Sequence, residues 1–278
     1  MAIELLDAKA RVNERRGPKI LIHGLPNVGK TSLLNTLPLE MYPTVLMAEL
    51  EGGDLPVAHL PIDSLRPQTW SDCRDLVCAL SGPDPARAPG APYSQSHFDA
   101  VTATGGVLAD LEKYSLVFVD SFTEVGRKCR LWAEQQSESF NAYGKRDTRG
   151  MYGLVGRELI GWAQRLQSVR WRTIVLTAVL EKHTDDFGVS SWRIQLEGRA
   201  AAAQLPAILD EIIAMTWVTF TNKGVRAASG ADKAHRAFVC QPNNALGFPA
   251  KDRSGRLSEV EEPHLGKLLA KLATRQQP

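Results

Sequence analysis

Nine consecutive residues, Gly24-Leu25-Pro26-Asn27-Val28-Gly29-Lys30-Thr31-Ser32, set two glycines, a lysine and two hydroxyls at the spacing GxxxxGK[ST]. Glycines at those positions let the backbone curl so that successive N–H groups turn toward phosphate oxygens, and a following helix offers its positive end to the same anion. In that arrangement Lys30 reaches the β- and γ-phosphates and the Thr31 hydroxyl ligates Mg²⁺. The implied chemistry is the binding of a nucleoside triphosphate together with its metal. Such a magnesium site also needs a carboxylate at the end of a neighbouring strand. Asp120, which closes Leu116-Val117-Phe118-Val119-Asp120-Ser121, is the residue placed for it.

These groups can act together only if strands and helices hold them. Ile20-Leu21-Ile22-His23 is an apolar run ending in glycine, as a buried parallel strand does where it enters a loop, and Thr31 to Leu37 continues as a helix. Three more β-branched runs follow at Thr44–Ala48, Ser115–Val119 and Arg172–Val179, with helical stretches over Trp70 to Leu80 and Gly156 to Val169. The alternation predicts an α/β fold, a mainly parallel sheet with helices on both faces. Glu211 to Phe220 and His235 to Cys240 read as a second, partly antiparallel group of strands. Leu265, Leu268, Leu269 and Leu272 then form a core-facing helical stripe after Pro263. Residues 1–16 are a polar lead-in, either frayed or helical through Ile3, Leu6 and Ala10, and residues 17–278 make a single domain. Within it, residues 81–104 are rich in Pro, Ala, Gly and Ser and read as a surface loop or insertion.

The 278 residues, 44% hydrophobic and 23% charged, are enough to bury a sizeable core. A net charge of +2 excludes wholesale coating of a nucleic acid, so any polyanion contact must be a local patch. No apolar run approaches the roughly 18 residues that cross a bilayer. The start at Met1-Ala2-Ile3-Glu4-Leu5-Leu6-Asp7 also lacks the layout of a signal peptide, so a cytoplasmic protein with no membrane contact is expected. Cys73, Cys78, Cys129 and Cys240 form neither a CxxC pair nor a zinc pattern and are expected as reduced, mostly buried thiols. The six histidines show no ligand spacing, and nothing around Ser121 marks a nucleophile elbow.

The stretch Asn27 to Asn35 reads locally like the first loop of a small GTPase. Such a protein also needs a DxxG loop and an NKxD motif. Glu49 to Gly52 carries Glu in place of the Asp, and Asn222-Lys223-Gly224-Val225 lacks the Asp that pairs with guanine, so ATP is the expected nucleotide. A water-polarising glutamate either follows the magnesium Asp directly or ends another strand. Ser121 cannot serve, whereas the strand from Thr44 ends in Glu49-Leu50-Glu51-Gly52-Gly53. On these residues the chain resembles the RecA/Rad-type recombinase ATPases, and in particular the related phage AAA-domain ATP-binding proteins, which include single-strand annealing recombinases. The resemblance runs from about Pro18 to Leu272. It extends to Val119-Asp120-Ser121-Phe122-Thr123-Glu124, to Leu176-Thr177-Ala178 as the strand that senses the γ-phosphate, and to Ala250-Lys251-Asp252-Arg253. It implies a RecA-like ATPase fold in which Glu51 activates water and Glu49 takes the first acidic position. The Gln usual at the sensing position of the best-known recombinases is absent here.

The same resemblance implies that two loops hold single-stranded DNA. The first falls within Gln135 to Met151 and contains Phe140, Tyr143, Lys145, Arg146 and Arg149, with Tyr152 just beyond. Cations that neutralise phosphates beside aromatics that stack on bases suit sequence-tolerant binding, and Tyr143, Lys145, Arg146 and Arg149 are the candidates. From Arg127 to Arg157 seven Lys/Arg stand against three Asp/Glu, a local net of +4. The second loop lies between Glu181 and Arg193 and its charges are mixed. The resemblance also implies a ring or filament in which Lys251 and Arg253 complete a neighbour's site. The expected activity is Mg²⁺-dependent ATP hydrolysis stimulated by single-stranded DNA, in phage recombination or annealing. A single-strand binding protein would be a further partner and the host cytoplasm the setting. The alternatives are an ATP-switched loader or scaffold for replication proteins, a GTPase, or a small-molecule kinase whose lid the Arg-rich segment around Gly144 imitates.

Overall fold

Five apolar segments run in the same direction and build the centre of one sheet, with a short exposed sixth, Asp63–Leu65, parallel at its edge. The computed structural model describes residues 5–103, 107–221, 224–228 and 234–273. Along the chain come α1 (Ala8–Asn13), β1 (Lys19–Gly24), β2 (Val45–Glu49), β3 (Asp63–Leu65), α2 (Trp70–Ser81), α3 (Gln95–Thr102), β4 (Leu116–Asp120), α4 (Phe122–Ala133) and α5 (Thr148–Ser168). They are followed by β5 (Thr173–Thr184), β6 (Ser190–Ile194), α6 (Arg199–Ile208), β7 (Glu211–Thr221), β8 (Gly224–Ala227), β9 (His235–Val239), β10 (Lys251–Asp252), β11 (Val260–Glu261) and α7 (Leu265–Ala273). The strand order is β11-β9-β7-β1-β5-β4-β2-β3, with β8 and β10 paired to β7 and β6 to β5. From β7 to β3 the neighbours are parallel, and the outer pairs are antiparallel.

The period-two alternation of each central strand supplies two cores at once. Leu21, Leu46, Ala48, Val117, Val119, Ile174 and Leu176 point to the side covered by α2, α4, α5 and α6. Ile20, Ile22, Val45, Met47, Leu116, Phe118 and Val175 point to the other, where α7 and the 3-10 turns Thr31–Thr36 and Leu39–Thr44 pack. Helices on both faces of a mainly parallel sheet are the α/β fold that the strand–helix alternation predicts. The Leu265, Leu268, Leu272 stripe is buried as expected, and all four cysteines are free and buried.

Several local expectations change. The segment after the glycine loop is a 3-10 turn of six residues, cut short by Pro38, and not an α-helix. Residues 81–103 are more than a loop: Ser94 caps α3, Tyr93 is buried, and His97 reaches Asp75 of α2 at 2.9 Å. The helix expected from Gly156 starts eight residues earlier, at Thr148, under an Asp147 cap. The lead-in forms only the short α1, capped by Asp7, and Leu6 beside it is 51% exposed, so no apolar stripe packs there. Ile3, the end of the proposed insertion at Thr104, and residues 274–278 lie outside the described residues.

A polar network closes the N-terminal edge of the parallel strands. The Arg172 guanidinium donates to the carbonyls of Tyr114, Leu80 and Leu111, and the buried Lys19 ammonium to those of Gly17 and Arg172. Asp210 accepts from the Lys19 N–H, Arg16 and Arg253. Next to it Glu211 is buried at the start of β7. Burial foremost, then the neighbouring Asp252 carboxylate, raises the Glu211 carboxyl from about 4.5 to about 8. Asp252 stays ionised, held by Ser254 Oγ and the N–H groups of Leu257 and Gly255 in spite of its own burial. The folded chain therefore keeps a proton on Glu211 that the unfolded chain releases near 4.5, and stability falls as pH rises between those values. Glu211→Gln is expected to flatten that decline, read as the change of urea midpoint between about pH 5 and pH 8.

Candidate nucleotide site

β1 delivers Gly24 to the C-terminal edge of the sheet, where the chain turns through Leu25–Gly29. Asn27 and Gly29 have left-handed φ, 62° and 99°, and Lys30 returns to the right-handed helical region. Alternating hands along a few residues bring successive N–H groups to face a single anion. Gly24 is required for a different reason. A Cβ there would lie 2.4 Å from the Met215 carbonyl oxygen on β7, so only glycine lets the loop leave the sheet this closely. The turn that follows is too short to act as a long helix dipole, so attraction for phosphate rests on the loop amides and Lys30.

The other site groups come from the ends of adjacent strands. Asp120 ends β4, buried, and one carboxylate oxygen accepts from Thr31 Oγ1 at 2.5 Å while the other accepts from Thr177 Oγ1 on β5. Burial raises the Asp120 carboxyl above the usual carboxylate range, and the nearby Glu51 adds to this. The two threonine hydroxyls and Lys30 act in the opposite sense. The Lys30 ammonium donates to the carbonyls of Gly24 and Leu25 at 3.1 and 3.2 Å. Its burial pushes it below the usual lysine range, against the pull of Asp120 and Glu51. Thr31 and Asp120 thus present hard oxygens side by side, the donor set that holds Mg²⁺ with some of its waters.

The two glutamates at the end of β2 have different surroundings. Glu49 lies in register with Asp120, is buried, and its Oε2 accepts from Arg66 Nε at 2.9 Å. Glu51 is exposed, and its carboxylate accepts from the hydroxyl of Ser121, the residue after Asp120. A main-chain bond from Leu50 N to the Asp120 carbonyl at 2.8 Å keeps this turn against β4. The glutamate with solvent access beside Lys30 and Asp120 is Glu51; Glu49 is held by an arginine. Spacing gave no sign of Arg66 as Glu49's partner, since it follows the intervening β3 and meets β2 only through parallel pairing.

Residues 16–254 match the AAA domain family. The chain belongs to this family. With its glycine loop, strand-end Asp and parallel sheet it is a P-loop ATPase. No curated protein matches the chain. Among solved structures, it is similar to an ATPase from the type III secretion system of pathogenic bacteria, at 18% identity and a TM-score of 0.40, over 72% of this chain and 51% of the other. It is also similar to the RadB recombinase, at 12% identity and a TM-score of 0.36, over 77% of this chain and 92% of the other. The chain spans about half the length of the secretion ATPase.

The remaining candidates of this AAA domain lie away from the loop. Tyr143, Lys145 and Arg146 occupy a tight turn closed by Asn141 N to Lys145 O at 2.8 Å and by a bridge between Phe140 and Arg146. Arg149 sits in the first turn of α5. All four are exposed, and Tyr143 is 88% exposed. The second expected loop is instead the β5–β6 hairpin, with Phe187 and Val189 exposed near its tip. Tyr152 and this hairpin line one cavity of about 1100 Å³, whose wall also carries Glu181, Asp185, Asp186 and Glu197. Lys251 and Arg253 stand at the opposite edge of the sheet from the glycine loop. Lys251 donates to the carbonyls of Pro206 and Leu209 at the end of α6, and Arg253 to Asp210 and the Ala207 carbonyl. Among the described residues no helix is long and apolar enough to cross a membrane.

Two substitutions separate scaffold from ligand contact. Gly24→Ala is expected to lower stability by about 1–3 kcal/mol in urea unfolding, because its Cβ meets backbone that cannot move aside. Lys30→Ala is expected to leave the urea midpoint nearly unchanged and to weaken ATP binding by roughly tenfold or more in calorimetric titration.

Proposed function

We propose that this AAA-domain ATPase hydrolyses ATP with Mg²⁺ and acts on single-stranded DNA in phage recombination or annealing. The observation that supports hydrolysis most is the convergence of Lys30, Thr31, Asp120 and Glu51 at the end of three strands. Bound Mg²⁺ would neutralise charge on the β- and γ-phosphates. Thr31 and Asp120 would hold that ion with their oxygens. Lys30 leaves its two loop carbonyls for phosphate oxygens, a stronger charged partner. Glu51, with one oxygen held by Ser121, orients a water for attack and takes its proton. Thr177, buried on β5, keeps Asp120 in place by donating its hydroxyl to the carboxylate.

The DNA part of the reading rests on the turn from Phe140 to Arg149. Tyr143, Lys145, Arg146 and Arg149 combine open aromatic surface with cationic charge, which suits stacking on bases and pairing with phosphates. The cavity beneath the β5–β6 hairpin carries charges of both signs, Glu181, Asp185 and Asp186 beside Arg193, and so supports a phosphate contact less than this turn does. Assembly into a ring or filament belongs to the same reading. In it Lys251 and Arg253, remote from their own glycine loop, serve a neighbour's nucleotide after exchanging their partners at the end of α6.

Glu51→Gln is expected to reduce steady-state ATP hydrolysis by about 100-fold or more while ATP affinity stays within about threefold. Glu49→Gln should instead act mainly through stability, since it removes one of the two carboxylates, Glu49 and Asp54, that pair with Arg66; equal loss of turnover in both variants would move the base to Glu49. Combined charge reversal at Lys145, Arg146 and Arg149 is expected to abolish single-stranded DNA binding at low salt and its stimulation of hydrolysis. Unchanged DNA affinity in that variant would defeat the DNA reading and favour an ATP-switched scaffold.

A further inference from the structure

Beyond the sheet edge, β7 and β9 continue as an antiparallel arm beside the glycine loop. Ala214 pairs with His23, the Met215 carbonyl packs against Gly24, and β7 then runs on to Thr221. Met215 and Phe238 face each other across the arm and are buried on the side of the Thr31–Thr36 turn. Alternation puts the next pair, Trp217 and Arg236, on that same side one step further out, above the loop. Arg236 does reach it: a Cβ built on Gly29 would lie 2.5 Å from Arg236 Nη1, and Met215 Cε would be 3.8 Å away. The guanidinium also lies 5.7 Å from the centre of the Trp217 ring, which is 47% exposed.

A guanidinium resting on the glycine that precedes the phosphate-binding lysine is an unusual neighbour for a loop that has to attract an anion. No carboxylate among the described residues forms an ion pair with Arg236, so its charge adds to the field of the cradle. Its planar fork of donors matches phosphate oxygens better than a lysine's point charge does. The open indole beside it offers a flat apolar surface of the kind on which a nucleotide base stacks. We propose that Arg236 is a nucleotide-binding residue acting in cis, with its guanidinium on the phosphates nearer the sugar, and that Trp217 covers the nucleoside. The loop thereby gains a third wall from the antiparallel arm. The inference rests on the nucleotide-binding reading of the loop, and sequence spacing gives no sign of it, because Arg236 lies more than 200 residues from Gly29.

The test uses the full chain, with ADP and ATP titrated calorimetrically in the presence of Mg²⁺ and tryptophan emission followed in parallel. Arg236→Ala is expected to weaken both nucleotides by roughly tenfold or more, with Arg236→Lys recovering part of the loss. Without nucleotide, the urea midpoint should not change, which a loop-bracing role alone would shift. ADP should quench emission of the native chain, and Trp217→Phe should remove most of that change. Affinities of the Arg236→Ala variant within about twofold of the native chain for both nucleotides overturn the inference while leaving the glycine-loop reading intact. A native chain that binds neither nucleotide overturns both. Should Arg236→Ala misfold, Arg236→Gln keeps the side-chain length and decides by the same affinities.

Discussion

The carboxyl group of Asp120 is where the separate parts of the site meet. It takes one hydroxyl from Thr31, which belongs to the glycine loop, and one from Thr177, which belongs to β5, while its own main-chain carbonyl takes the N–H of Leu50 after β2. Four chain segments, far apart in sequence, are thereby fixed about one buried acid. Burying a carboxylate is costly unless it is hydrogen-bonded or neutralised, and the upward displacement of its titration expresses that cost. Two hydroxyls and the Lys30 ammonium offset part of it, and a divalent cation would offset more. This buried acid is thus also the residue that ties together the glycine loop, β5 and the Glu51 turn.

The parallel arrangement divides labour between the two edges of the sheet. At the C-terminal edge β1, β2 and β4 stop, and Gly24, Glu49, Asp120 and the loops after them gather there. At the N-terminal edge the corresponding groups are spent on structure: Arg172 and Lys19 donate to loop carbonyls, and Asp210 collects Lys19, Arg16 and Arg253. Buried charges of both kinds occur, but only one edge leaves its charged groups near an open, amide-lined loop. This separation explains why Lys251 and Arg253, similar in type to Lys30, have a different local role within their own chain.

The antiparallel strands extend the parallel sheet on the side of β1, and their contribution is positional. β7 is parallel to β1 through Ala214 and antiparallel to β9 beyond it, so one strand both completes the central sheet and carries an arm past it. The close approach of Met215 to Gly24 sets that arm against the glycine loop, and the alternation of side chains then decides that Trp217 and Arg236 rise on the loop's side.

The sequence by itself determined the glycine loop, the strand that precedes it, the strand-end Asp120 and the alternation that makes an α/β sheet. All of these are local, since spacing over a few residues sets how a loop curls and which faces of a strand are apolar. The tertiary structure alone decided the rest. It made the segment after the loop a short 3-10 turn, gave residues 81–103 a helix, turned the stretch from Glu181 to Arg193 into a hairpin, and joined Lys251 and Arg253 to the end of α6. It also distinguished Glu51 from Glu49, two residues apart in one acidic stretch, by giving Glu49 to Arg66 and Glu51 to Ser121. Those outcomes depend on which distant strand lies alongside, and strand order is a property of how the layers close over a shared core, which no short window of residues contains.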